Sequence, residues 1–222
     1  MKKILVSIVA MLMAAPSFAQ FSSGGFDLDK ENVYYGLRLG LNLASVSGDE
    51  VAGNKADLGM KAGMVLGGVI GLRVSGNTPL FLESGAYYSE RGGKKDKITA
   101  SYNCLDIPLL IKYGIQVSDN IALLPYVGPY FSYAFSGKTK QPHIDDKGNF
   151  TSVTDKVGTF DEKRAITGGF SRANMGFKVG CGAEYNKLYL EAGYQIGITN
   201  ISKVDDRSAH SNALYVNFGI NF

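Results

Sequence analysis

One pattern constrains this chain more than any other: a two-residue alternation of apolar and mixed side chains that recurs in eight separate segments. Successive side chains of a β-strand point to opposite faces, so strict alternation predicts sheet with one apolar face. The first copy, "VYYGLRLGLNLAS" (33–45), sets Val33, Tyr35, Leu37, Leu39, Leu41 and Leu43 against Tyr34, Gly36, Arg38, Gly40, Asn42 and Ala44. The others occupy 62–74, 80–90, 102–114, 121–135, 174–185, 188–199 and 213–222. Taken alone, any one of them fits a soluble strand as well as a membrane one.

Charge placement and connection length separate those two cases. All eight charged residues assigned to the strand interiors fall on the mixed face: Arg38, Arg73, Glu83, Asp106, Lys112, Lys178, Glu184 and Glu191. A soluble barrel would put its charges outside and its apolar side chains in the lumen. The connections also alternate. Those at 46–61, 91–101, 136–173 and 200–212 are long and polar, while 75–79, 115–120 and 186–187 are short. Segments of about ten residues or more, long loops on one side and short turns on the other, are the pattern of a bacterial transmembrane barrel. The apolar face carries an aromatic girdle at its ends, formed by Tyr35, Tyr113, Tyr185 and Phe222 near one rim and Tyr88, Tyr133 and Tyr194 toward the other. Aromatic belts of this kind mark membrane interfaces. The expected fold is all-β: an eight-stranded antiparallel up-and-down transmembrane β-barrel. The apolar face is expected to meet lipid, with the N-terminus periplasmic and the long loops extracellular.

The first residues agree with that compartment. "MKKILVSIVAMLMAAPSFAQ" has a basic start, an apolar run and a small-x-small motif ending at Ala19, which predicts a signal peptide over 1–19. Residues 20–32 read as a periplasmic lead-in and 33–222 as the barrel domain. Removing Lys2 and Lys3 takes the net charge from +3 to +1, a balance that argues against a general affinity for polyanions, nucleic acid included. Beyond residue 19 no apolar run is long enough for a helical span.

At this point "GLRLGLNLA", "YNCLDIPLLIKYG", "PYVGPYFSY" and "LYLEAGYQIGITNIS" can be taken together. The chain resembles the PorT-like outer-membrane β-barrels of Bacteroidetes, related in shape to OmpX and to the OmpA barrel. The resemblance implies outer-membrane insertion by the barrel assembly machinery. The last strand, with Leu214, Val216, Phe218, Ile220 and Phe222 at every second position, looks like the signal which that machinery reads. A role as a component of an outer-membrane secretion system is also implied.

The lumen-facing charges number four of each sign, which predicts an ion-pair network in a plugged lumen rather than a selectivity filter. A narrow channel for small solutes remains the alternative. Catalysis is not expected: His143 and His210 both fall in predicted loops, and "AHSN" (209–212) near Asp205 and Asp206 lacks an oriented base. No metal or cofactor motif is present; "DDKGN" (145–149) resembles a calcium loop only in part. Cys104 and Cys181 fall on opposite faces of non-adjacent strands, so no disulfide is expected between them. The 136–173 connection is either a surface that binds a partner, a glycan or host matrix, or a solvated hairpin over the barrel. The expected partners are outer-membrane lipid, the assembly machinery, and an extracellular or secretion-system protein.

Overall fold

Eight long strands carry the alternation: β1 (Val33–Gly48), β2 (Leu58–Arg73), β3 (Leu80–Lys95), β4 (Ile98–Tyr113), β5 (Ile121–Ile144), β6 (Ala173–Tyr185), β7 (Leu188–Gly197) and β8 (Ala209–Asn221). The structure, a computed structural model, describes residues 33–48, 50–51, 54–55, 58–75, 78–95, 98–144, 150–161, 169–204 and 208–222. The expected signal peptide and lead-in lie outside the described residues. Each strand pairs antiparallel with the next in sequence. β8 then pairs back onto β1 from Gly36↔Asn221 to Gly48↔Ala209. The ring is closed, so no barrel strand presents an unpaired backbone edge.

The faces divide as the alternation requires. Leu39 is 53 % exposed, whereas Arg38 beside it is 1 % exposed. Leu66, Leu105, Val127, Phe177, Leu190 and Val216 all point outward, and Tyr87, Asp106, Tyr126, Lys178, Glu191 and Asn217 are buried within.

The strands run further than the apolar contrast predicts. The 91–101 connection, read as a long polar loop, is barrel wall: pairing of β3 with β4 continues through Arg91↔Tyr102 to Lys95↔Ile98. Likewise β5 extends to Ile144 and pairs with a further strand, Phe150–Gly158. "AHSN" belongs to β8 rather than to a loop. The reason is physical. Beyond the apolar belt the outward residues turn polar, so the hydropathy contrast fades while the in–out alternation persists. Lys138 and Lys140 are exposed, and Thr139 and Gln141 between and after them are buried.

Inside, bulk and vacancy are matched across strands. Tyr34 stands directly opposite Gly71, Tyr87 opposite Gly67, Tyr126 opposite Gly180, Tyr130 opposite Gly176, Tyr189 opposite Gly219 and Tyr215 opposite Gly193. A Cβ at Gly71 would run into the Tyr34 ring, and one at Gly180 would meet the Tyr126 ring and hydroxyl. Most of these rings lie over the space the opposed glycine leaves; at Gly219 the Arg38 side chain takes that space, and the Tyr189 ring lies over Gly182.

Candidate functional site

The interior has two polar layers and an apolar cap. At the end where the strands join by short turns, the fully buried Glu83 is the hub. Its Oε2 lies 2.8 Å from Lys112 Nζ and 3.7 Å from Arg38 Nη2, and it accepts a 2.6 Å hydrogen bond from the Tyr34 hydroxyl. Lys112 Nζ also donates to the Tyr189 hydroxyl at 2.8 Å, and that hydroxyl donates to Glu191 Oε2 at 3.2 Å. Asn217 Nδ2 completes Glu191 at 2.6 Å. The Arg38 guanidinium sits 4.0 Å from the centre of the Tyr189 ring. Four strands thus converge on one carboxylate and one ring. Charges this deep persist only when paired, because desolvation of a lone one is costly.

Nearer the long-connection end, Arg91 forms a close ion pair with Asp106 and donates to Gln195 Oε1 at 2.7 Å. Its Nε reaches Ser89 Oγ at 3.3 Å, and Asn42 Nδ2 donates to the same Oγ at 3.0 Å. Between the layers, Lys178 Nζ lies 5.0 Å from the Tyr87 ring and 5.1 Å from the Tyr215 ring, a cation held against two aromatic faces.

Over the second layer lies the cap. Val46, Leu58, Ala100, Phe170, Ile201 and Ala209 form a buried apolar cluster against which Ile98 and Phe160 pack. Backbone bonds tie its parts together: Phe170 N to Thr159 O at 3.0 Å, Ser171 N to Ile201 O at 2.7 Å and Ile201 N to Ala209 O at 2.8 Å. The Thr159 hydroxyl donates to Ser101 O at 3.1 Å, fastening the β5–β6 connection to β4.

Of the charged side chains expected inside, Arg38, Glu83, Asp106, Lys112, Lys178, Glu184 and Glu191 are buried there. Glu184 accepts from Asn221 Nδ2 at 2.8 Å. Arg73 differs: it is half-buried at the short-turn rim, and its Nε donates to Ser75 O at 2.9 Å. Sequence reasoning missed Arg91 and the cap; the alternation over 188–199 puts Gln195 on the inner face without assigning it a partner. Arg91 keeps phase with Tyr87 and Ser89, a signal that was hidden by the polar run after it. Tyr35, Tyr113, Tyr133, Tyr185 and Tyr194 are exposed on the outer face, and Tyr88 packs 6.1 Å from Phe135. Leu214, Val216, Phe218 and Ile220 line up outward, and Phe222 N bonds Tyr35 O at 2.7 Å.

The candidate His–Ser pair does not form a dyad. His210 and Ser211 are successive strand residues on opposite faces, and the Ser211 hydroxyl is 2.6 Å from that of Tyr102. Asp145, Asp146, Asp205 and Asp206, and the side chain of His143, lie outside the described residues. Cys104 is buried and Cys181 exposed, on opposite faces. Among the described residues no three metal-ligating side chains cluster. Between the cap and the wall lies a small, partly open cavity of about 10 Å³, room for roughly one water, lined by Tyr102, Ser132, Phe160 and Asn174.

A sheet closed at eight strands, apolar outside and ionic inside, defines a transmembrane β-barrel. The chain belongs to the family described as outer membrane protein beta-barrel domain, which matches residues 18–203, and its place is the bacterial outer membrane. No curated protein matches it. Among solved structures it is similar to the outer membrane protein OprG of Pseudomonas aeruginosa, at 13 % identity and TM-score 0.46, covering 88 % of this chain and 98 % of that one. Neisserial surface protein A is similar at 15 % identity and TM-score 0.42, covering 86 % and 98 %. Ail of Yersinia pestis, solved with the heparin analogue sucrose octasulfate, is similar at 15 % identity and TM-score 0.41, covering 86 % and 100 %.

Proposed function

We propose that this protein is a non-catalytic outer-membrane barrel with a plugged lumen, oriented with its short turns in the periplasm and its long connections outside as an interaction surface. The observation that carries this reading is the stacking of the Glu83 hub, the Arg91–Asp106 pair and the apolar cap along one narrow axis. An eight-stranded barrel has little more interior than its own side chains fill. Here those side chains are tied to each other, and opening a path means separating buried charges. Orientation is supported by the division of connections into long and short, and insertion through β8 by the outward row ending at Phe222.

Planar-bilayer recording of the purified barrel tests the plug: the expected result is no steady conductance, and a stable open level overturns it. The secretion-component alternative predicts stable protein partners recovered with the detergent-solubilised barrel.

A further inference from the structure

We propose that an outward row of lysines at the long-connection end, Lys94, Lys138, Lys140 and Lys156, binds the phosphorylated headgroups of outer-leaflet glycolipid. The inference rests on the orientation given above. Residues directly opposite in an antiparallel pair share a face. The register runs Lys94↔Thr99, Thr99↔Lys140 and Lys140↔Lys156, so three lysines and a threonine form one line across four strands. Lys138, opposite Ser101, lies two residues closer to the aromatic belt on the same face. All four lysines are exposed, while Thr139 and Val157 beside them are buried.

Three observations assign the occupant. First, Lys140 directly faces Lys156, and like charges so placed destabilise a sheet unless an anion sits between or over them. None of the four lysines is in an ion pair among the described residues. Second, the carboxylate of Glu90, on the outer face of the same strand as Lys94, accepts from the Tyr88 hydroxyl at 3.2 Å. Third, the row continues the membrane belt. Tyr133 and Phe135 precede Lys138 on the same strand, which places the first lysine about 10 Å or less beyond Phe135, at headgroup depth. Arg172 adds a fifth cation at that height: its Nη1 donates to Ala134 O at 3.1 Å and Phe135 O at 3.2 Å, and its guanidinium lies 4.2 Å from the Phe160 ring centre. Long lysine stems lying along the wall carry their ammonium groups into a phosphate layer. A soluble polyanion has no need of a site joined to the lipid-facing belt, so charge complementarity and continuity together select the lipid.

The test uses the full barrel in detergent, titrated with a doubly phosphorylated lipid A and with its dephosphorylated counterpart, binding being read by native mass spectrometry. The expected result is binding of the phosphorylated form alone, weakened about tenfold or more in Lys138→Gln/Lys140→Gln/Lys156→Gln. Lys187→Gln, at the opposite end, leaves binding unchanged. Heat-modifiable electrophoretic mobility confirms that each variant is folded. Equal binding of the dephosphorylated lipid, an unaffected triple variant, or a soluble sulfated polysaccharide bound at the lysines as tightly as the lipid overturns the proposal. This binding in solution does not depend on orientation. Orientation is read separately, by antibody access to an epitope placed at 145–149 on intact cells, so the two failures are distinguishable.

Discussion

The two ends of the lumen close themselves by different chemistry. At the short-turn end a single carboxylate, Glu83, serves two cations and a phenol, and aromatic rings lie flat against the charges. At the long-connection end one arginine meets one carboxylate and an amide, and apolar side chains from two connections roof them over. The first arrangement is built only from strand residues and is as rigid as the wall. The second depends on connections folding back. The hub is therefore the part of the interior that holds the barrel together, and the roofed pair is the part that a change in the long connections reaches first.

The contrast can be broken most directly at the hub. Glu83→Gln leaves Arg38 and Lys112 without a counter-charge, and it is expected to cost about 3–5 kcal/mol in urea unfolding of the barrel in lipid vesicles. Asp106→Asn deprives one cation of its counter-charge rather than two, and Arg91 retains Gln195, so a smaller loss of roughly 1.5–3 kcal/mol is expected in the same assay. An Asp106→Asn loss equal to that of Glu83→Gln would erase the distinction between the ends. Gly71→Ala pushes against the Tyr34 ring and so against its bond to Glu83; overpacking of this kind costs on the order of 1–2 kcal/mol. Gly158→Ala at the far end meets only Asp161 Cβ at 3.7 Å. Its effect is expected to stay within about 0.5 kcal/mol.

The same division governs how much of the molecule was legible in the sequence. The belt was readable because lipid demands apolar side chains at every second position, and a period of two then assigns the opposite positions to the lumen. Glu83, Lys112 and Arg38 follow from that rule without any knowledge of who pairs with whom. Arg91 follows the same rule, but the outer-face residues flanking it, Glu90 and Lys94, are no longer apolar, so the contrast that reveals a strand had already gone. The cap obeys that period only in part: Val46, Ala100 and Ala209 keep the alternation of their strands, whereas its other members do not. Phe160, Phe170 and Ile201 reach the barrel mouth because their connections fold back, and contacts of that kind leave no local trace. Pairing partners were illegible for a further reason: register between strands is a long-range property, and parity alone permits several choices.

That last ambiguity gives the tyrosine–glycine pairs a consequence for assembly. Sliding one strand past its neighbour by two residues returns every side chain to its proper face, so the lipid-facing pattern offers no objection to such an error. The opposed rings and gaps do object. Moving Tyr34 two places along β2 brings it from Gly71 to Val69 or Arg73, and moving Tyr126 along β6 brings it to Lys178 or Gly182. Only one of those four alternatives offers another gap. Shape complementarity inside the wall thus works as a set of notches that proofreads the closing sheet, doing for alignment what hydrophobicity does for sidedness.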